Sequence, residues 1–87
     1  MTGPKYIRFE MQPRRKGRTT REWLVWPKNG HDWLGVVRWF TAWRCYCFEP
    51  SPGTVYERQC LRDIADFCEQ ETLRHREAMR RLKETKA

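Results

Sequence analysis

Serine is almost absent from this chain, and histidine is scarce. Of 87 residues, one is a serine, Ser51, set between Pro50 and Pro52, and two are histidines, His31 in a turn segment and His75 in a charged C-terminal stretch. No base stands near Ser51 in the sequence, so an activated hydroxyl nucleophile has no partner to deprotonate it. Asp63 and Asp66 are one helical turn apart, but arginines balance them and they read as a solvated face. The five glycines are scattered, leaving no glycine-rich phosphate loop. No apolar run approaches the ~18–20 residues that span a bilayer, and Met1–Phe9 holds no apolar signal core. These absences set aside enzymatic, membrane-spanning and secreted readings. The expectation is a cytoplasmic, non-enzymatic protein without a cofactor.

Cysteine is present four times, but in an unhelpful arrangement for a metal. Cys45 and Cys47 sit at i, i+2, which on a strand points both side chains to one face. Cys60 and Cys68 are eight residues apart, about 12 Å along a helix. That pair cannot converge on one ion at Zn–S distances near ~2.3 Å. A reducing cytoplasm argues against disulfides. The four are expected to be packing residues, with no bound metal.

Acidic residues are missing from one half. Residues 1–44 hold ten Lys/Arg against three Asp/Glu, and residues 45–87 hold eight of each, so the whole net charge of +7 lies in the first half. A basic half is what a polyanion-binding surface needs, although solubility alone is also served by it.

Bulky aromatics, by contrast, are abundant and concentrated. All five tryptophans lie between Trp23 and Trp43, in segments that alternate as strands do. Residues 5–11 alternate with Ile7, Phe9 and Met11 on one side. Gln12–Thr20 is polar and basic and is expected to be a mobile loop. Strands follow at 22–27, 33–40 and 43–48. Asn29-Gly30 predicts a tight two-residue turn, pairing Val25 with Leu34 and Trp23 with Val36. A second turn at Thr41-Ala42 pairs Arg38 with Cys45 and Val36 with Cys47. These registers put Trp23, Val25, Leu34, Val36, Phe40, Trp43, Cys45 and Cys47 on one face. Leu24, Trp26, Trp33, Gly35, Val37, Trp39, Arg44, Tyr46 and Phe48 then share the other.

After Pro52-Gly53, Thr54 with Glu57 three residues later predicts a capping box opening a helix over 54–84. Leu61, Ile64, Ala65 and Cys68 form its apolar stripe. A 4-3 spacing through Thr72, His75, Met79 and Leu82 suggests a coiled coil with a polar centre, against the simpler reading of a solvated helix end. The expected fold is α+β: one domain, 1–87, with a three- or four-stranded antiparallel sheet packed on one long C-terminal helix.

Three stretches resemble short accessory proteins of bacteriophages and prophages over residues 23–68: Leu34-Gly35-Val36-Val37-Arg38-Trp39-Phe40, Trp43-Arg44-Cys45-Tyr46-Cys47-Phe48-Glu49-Pro50, and Cys60-Leu61-Arg62-Asp63-Ile64-Ala65-Asp66-Phe67. That resemblance implies a phage accessory role and no site residues. The strand–strand–strand–helix order is also similar, at the level of fold alone, to plant AP2-type and phage integrase DNA-binding domains.

Two employments follow as expectations. In the first, the chain binds nucleic acid, DNA foremost, with Arg14, Arg15, Lys16, Arg18 and Arg21 on phosphates and Arg44 beside the sheet aromatics. In the second, the apolar sheet face formed by Trp26, Trp39, Tyr46 and Phe48 seizes a host protein, as anti-defence inhibitors do, or pairs with a second copy as a homodimer.

Overall fold

The computed structural model describes residues 4–86; residues 1–3 and 87 of the expected domain lie outside the described residues. Four strands, β1 (Ile7–Met11), β2 (Glu22–Pro27), β3 (Gly35–Phe40) and β4 (Cys45–Pro50), precede one helix, α1 (Arg58–Lys86). The strands form an antiparallel meander in the order β1-β2-β3-β4. The α+β architecture is therefore as the alternation and the helical stripe predict.

The registers differ from expectation, and the difference redistributes the two faces. Trp23 pairs with Val37 and Val25 with Gly35, one residue away from the alignment that an Asn29-Gly30 turn would give. Gly35 supplies the reason. A Cβ there would lie 2.4 Å from the Glu49 carbonyl oxygen and 2.7 Å from the Phe48 ring, so only glycine admits β4 this closely. With Gly35 seated beside Val25, the connection becomes the longer segment 28–34. Gly30 lies against the Pro27 ring instead of forming a two-residue turn.

Between β3 and β4 the turn spans 41–44, with Phe40 opposite Cys45, Arg38 opposite Cys47 and Trp39 opposite Tyr46. Arg44 closes it at φ 54°, and its N–H donates to the Phe40 carbonyl at 2.9 Å. A non-glycine residue in this left-handed region is strained, so the turn fixes Arg44 in place at a cost.

Because β2 slips by one residue, Trp23 and Val25 join Val37, Trp39, Tyr46 and Phe48 on the face that meets the helix. Ile7, Trp23, Val25, Val37, Tyr46 and Ile64 form the buried core, with Phe9, Trp39, Phe48, Tyr56, Cys60, Phe67 and Cys68 packed around it. The open face keeps Leu24, Trp26, Val36, Cys45 and Cys47 among Arg8, Glu10, Glu22, Arg38 and Glu49. The expected second face of Trp26, Trp39, Tyr46 and Phe48 is thus not formed: three of those rings turn inward.

The helix lies along β4. On one flank Phe67 stacks on Phe9 with ring centroids 3.9 Å apart and meets Trp23 edge-on, while the Lys5 N–H donates to Asp63 at 3.2 Å. On the other flank Thr72 reaches the outer edge of the sheet. The Tyr46 N–H, which points away from β3, donates to Thr72 Oγ1 at 2.9 Å, and the Thr72 hydroxyl donates to the Cys68 carbonyl at 2.7 Å. One hydroxyl therefore satisfies an edge-strand donor that would otherwise be buried unpaired. β1 is the opposite edge, with no element beyond it among the described residues.

Two details of the helix are corrected. It starts at Arg58, not Thr54: the Glu57 carboxylate accepts from the Cys60 N–H at 2.7 Å and acts as the cap. Thr54 instead donates to the Ser51 carbonyl at 2.7 Å, closing the Pro52-Gly53 bend. The buried stripe is Cys60, Ile64, Phe67, Cys68 and Thr72, whereas Leu61 and Ala65 face solvent.

At 29 residues the helix is about 43 Å long, roughly twice a six-residue strand. It overruns the sheet, and the radius of gyration of 14.3 Å exceeds the about 12 Å of a compact chain of this size.

Candidate functional site

Three elements bring basic residues to one end of the molecule. The segment between β1 and β2 contains a turn: the Arg18 N–H donates to the Arg15 carbonyl at 3.0 Å and Gly17 sits at φ 80°, which fits a type II turn with Lys16-Gly17 at its corner. Its base is held by the Arg21 N–H, which donates to the Tyr46 hydroxyl at 3.0 Å. The β3–β4 turn contributes Arg44. The overrunning helix contributes Arg76, Arg80 and Lys83.

Trp39 is the hinge of this arrangement because it lines two hollows. A small cleft of about 130 Å³ lies between Trp39, Arg15, Arg18, Thr20, Glu22 and Arg38. A wider groove of about 580 Å³ runs between Trp39, Arg44, His75, Met79 and the helix cations. His75 leans on Trp39 at 4.6 Å between ring centroids, and burial pushes its pKa below the ordinary histidine value. Its ring adds an aromatic surface to the groove beside Trp39. The Arg76 guanidinium donates to the Arg44 carbonyl at 3.1 Å, tying turn to helix across the groove.

Some of these charges are already partnered. Arg15 lies 3.6 Å from Glu22, and Arg38 Nε lies 2.8 Å from Glu49 in an ion pair that is not aligned as a hydrogen bond. Arg80 pairs with Glu77 one turn before it. Exposed pairs of this kind are worth little and yield readily to a competing anion. Among the described residues no carboxylate is paired with Arg14, Arg18, Arg44 or Lys83. The wider groove has no carboxylate in its lining.

Of the anticipated aromatics, Trp39 alone reaches this end. Tyr46 is buried, edge-on to Trp23 and Trp39, and burial raises its phenol pKa. Phe48 packs edge-on against Tyr56. Trp26 lies on the open face, where its indole N–H donates to Glu10 at 3.2 Å and Arg8 covers its ring. Arg14, Arg15, Lys16, Arg18 and Arg44 are exposed as expected, and Arg21 is half-buried at the base of its loop.

Sequence reasoning missed Arg76, Arg80, Lys83, His75 and Trp43. Trp43 is 71% exposed in the β3–β4 turn and touches only Phe40 among the aromatic rings. The signal for the helix cations was present. Residues 45–71 hold two Lys/Arg against six Asp/Glu, and residues 72–86 hold six against two. Averaging over the whole second half cancelled an acidic block against a basic one.

The cysteines make no such site. Cys45 and Cys47 sulfurs touch at 3.7 Å, and Cys68 on the helix lines one hollow with Cys45 at the β4 edge. Burial, with the neighbouring thiol adding to it, pushes Cys47 up to about 11, and burial pushes Cys68 up to about 11. These are protonated thiols, poor nucleophiles at neutral pH. All four are half-buried and free, so they border the core rather than fill it.

Comparison with known families, curated proteins and solved structures finds no match to this chain. The site therefore has to be read from its own chemistry.

Proposed function

We propose that this chain is a small basic accessory protein of the phage type that binds nucleic acid through the end built around Trp39. One observation carries the reading: cations from three elements distant in sequence surround one aromatic ring. The segment 12–21, the turn 41–44 and the helix from Arg76 onward all contribute to the two hollows that Trp39 lines. A solubilising charge excess has no reason to gather at one end, whereas a polyanion requires it. Phosphates meet the arginines and lysine, while the ring gives an apolar contact that phosphate binding alone does not use.

The test is an affinity titration of oligonucleotides at several salt concentrations. Phosphate-dominated binding weakens steeply with salt, and replacing Arg14, Arg15 and Lys16 together should lower the salt slope by roughly 2–3 units. A slope unchanged by that replacement removes the loop from the interface. The alternative, an anti-defence inhibitor of a host protein, would show as one lysate protein retained at high salt with no oligonucleotide bound.

A further inference from the structure

We infer that the nucleic acid taken at this end is single-stranded, with an unpaired base entering the groove between Trp39, His75 and Met79 and its flanking phosphates on Arg44, Arg76 and Lys83. The inference rests on the nucleic-acid reading above and adds to it the form of the ligand.

The shape of the site is the first argument. The groove is open and about 580 Å³ in volume, with Trp39, His75 and Met79 lining it beside Arg44, Arg76, Arg80 and Lys83, and with His75 against the Trp39 ring. Its size is that of a small-molecule pocket. A duplex keeps its bases stacked inside and offers a convex, charged outline, so it would rest on the rim and leave the floor empty. An unpaired base is a flat ring on a flexible backbone and can fill it. Cations on the rim and rings on the floor are the two parts that single-strand sites combine.

The open sheet face is a poorer surface for a duplex. A duplex is read by a sheet when the sheet's exposed face lies in the major groove. Here the open face carries Glu10, Glu22 and Glu49. Its Arg38 is held beside Glu49 and its Arg8 lies over the Trp26 ring. Three carboxylates facing two phosphate backbones repel them. Arg44 and Lys83, with which no carboxylate is paired among the described residues, are at the groove instead.

Trp43 supplies a third, independent observation. Trp43 is 71% exposed, one residue before the strained Arg44, and has only the Phe40 ring edge-on against it among the aromatic rings. It shares the turn with Arg44, which lines the groove, and an exposed ring there offers a platform for a neighbouring base.

The experiment measures binding of four labelled probes of equal length at low salt: oligo-dT, oligo-U, a DNA duplex, and an abasic DNA strand with the same phosphates. The wild-type chain and Trp43→Ala are compared; the latter removes an exposed ring and leaves the core intact. The expected result is preference for a single strand over duplex and weaker binding to the abasic strand. Trp43→Ala should lose about 5–100-fold in affinity for the base-bearing strands, with the abasic strand unaffected. The ratio of oligo-dT to oligo-U affinity identifies DNA or RNA as the source. Duplex bound as tightly as a single strand, or abasic strand bound as tightly as oligo-dT, overturns the inference while leaving nucleic-acid binding standing. No probe bound at low salt overturns both.

Discussion

Replacing Thr72 by valine isolates a single hydrogen bond that joins the helix to the edge of the sheet. Valine has nearly the shape of threonine, so packing at this buried position, 6% exposed, is preserved. The change leaves the Tyr46 N–H without the oxygen it meets at 2.9 Å. A buried donor left unpaired costs about 1–3 kcal/mol. The Cys68 carbonyl also loses the Thr72 hydroxyl, but it lies four residues before Thr72 in a continuous helix and keeps its main-chain partner. At about 2 kcal/mol, a domain of this size should lose roughly 8–16 °C in melting temperature. Thr72→Ser is the control: it keeps the oxygen and gives up one methyl, at about 1 kcal/mol. Urea unfolding of both variants, with hydrogen exchange at the Tyr46 amide, makes the comparison. The reasoning is refuted if valine proves as stable as threonine, or if serine costs more than valine.

Other outcomes follow from the same geometry. Gly35→Ala should cost at least about 2 kcal/mol in urea unfolding, because its Cβ would collide with backbone as well as with Phe48. Arg44→Gly should separate stability from binding: relief of the left-handed strain offsets the flexibility of glycine, so the melting temperature holds while oligonucleotide affinity falls. Stability should decline as pH rises above about 9. Cys47, Cys60, Cys68 and Tyr46 all have folded pKa values raised by burial. The stability tied to their protonated forms is complete below the unfolded values and is lost as pH climbs through the folded ones. At the acid end, His75 has a lowered pKa, so its contribution is complete above about 6.5 and lost as pH falls below that value. Thermal melts across pH check both limbs.

Strand and helix existence was legible because period-2 and period-3.6 patterns are local. Register was not. Whether Trp23 faces Val36 or Val37 depends on a contact between Gly35 and the backbone of β4, which no local pattern announces, and one residue of slip exchanges the faces of a strand. The helix seam was misjudged for a related reason. Thr72 and His75, the polar residues that weaken the 4-3 spacing as a coiled coil, are where α1 meets the sheet edge and Trp39. A hydroxyl looks out of place in an apolar stripe until a strand-edge amide is seen opposite it. The basic loop and Arg44 were legible from charge alone. The helix cations were hidden by an acidic block with which they were averaged.

The two rims of the sheet are unequal, and this limits how copies of the chain can associate. Main-chain pairing between sheets needs an open edge on each partner. The helix lies along β4 and takes the Tyr46 N–H there, whereas β1, a five-residue strand that carries Arg8 and Glu10 and is flanked by Pro4 and Pro13, has no element beyond it among the described residues. Growth into a fibre requires two open rims per molecule, one to join and one to pass on. With the helix standing along the β4 rim, β1 is the freer rim among the described residues, and strand addition there, β1 against β1, joins two copies.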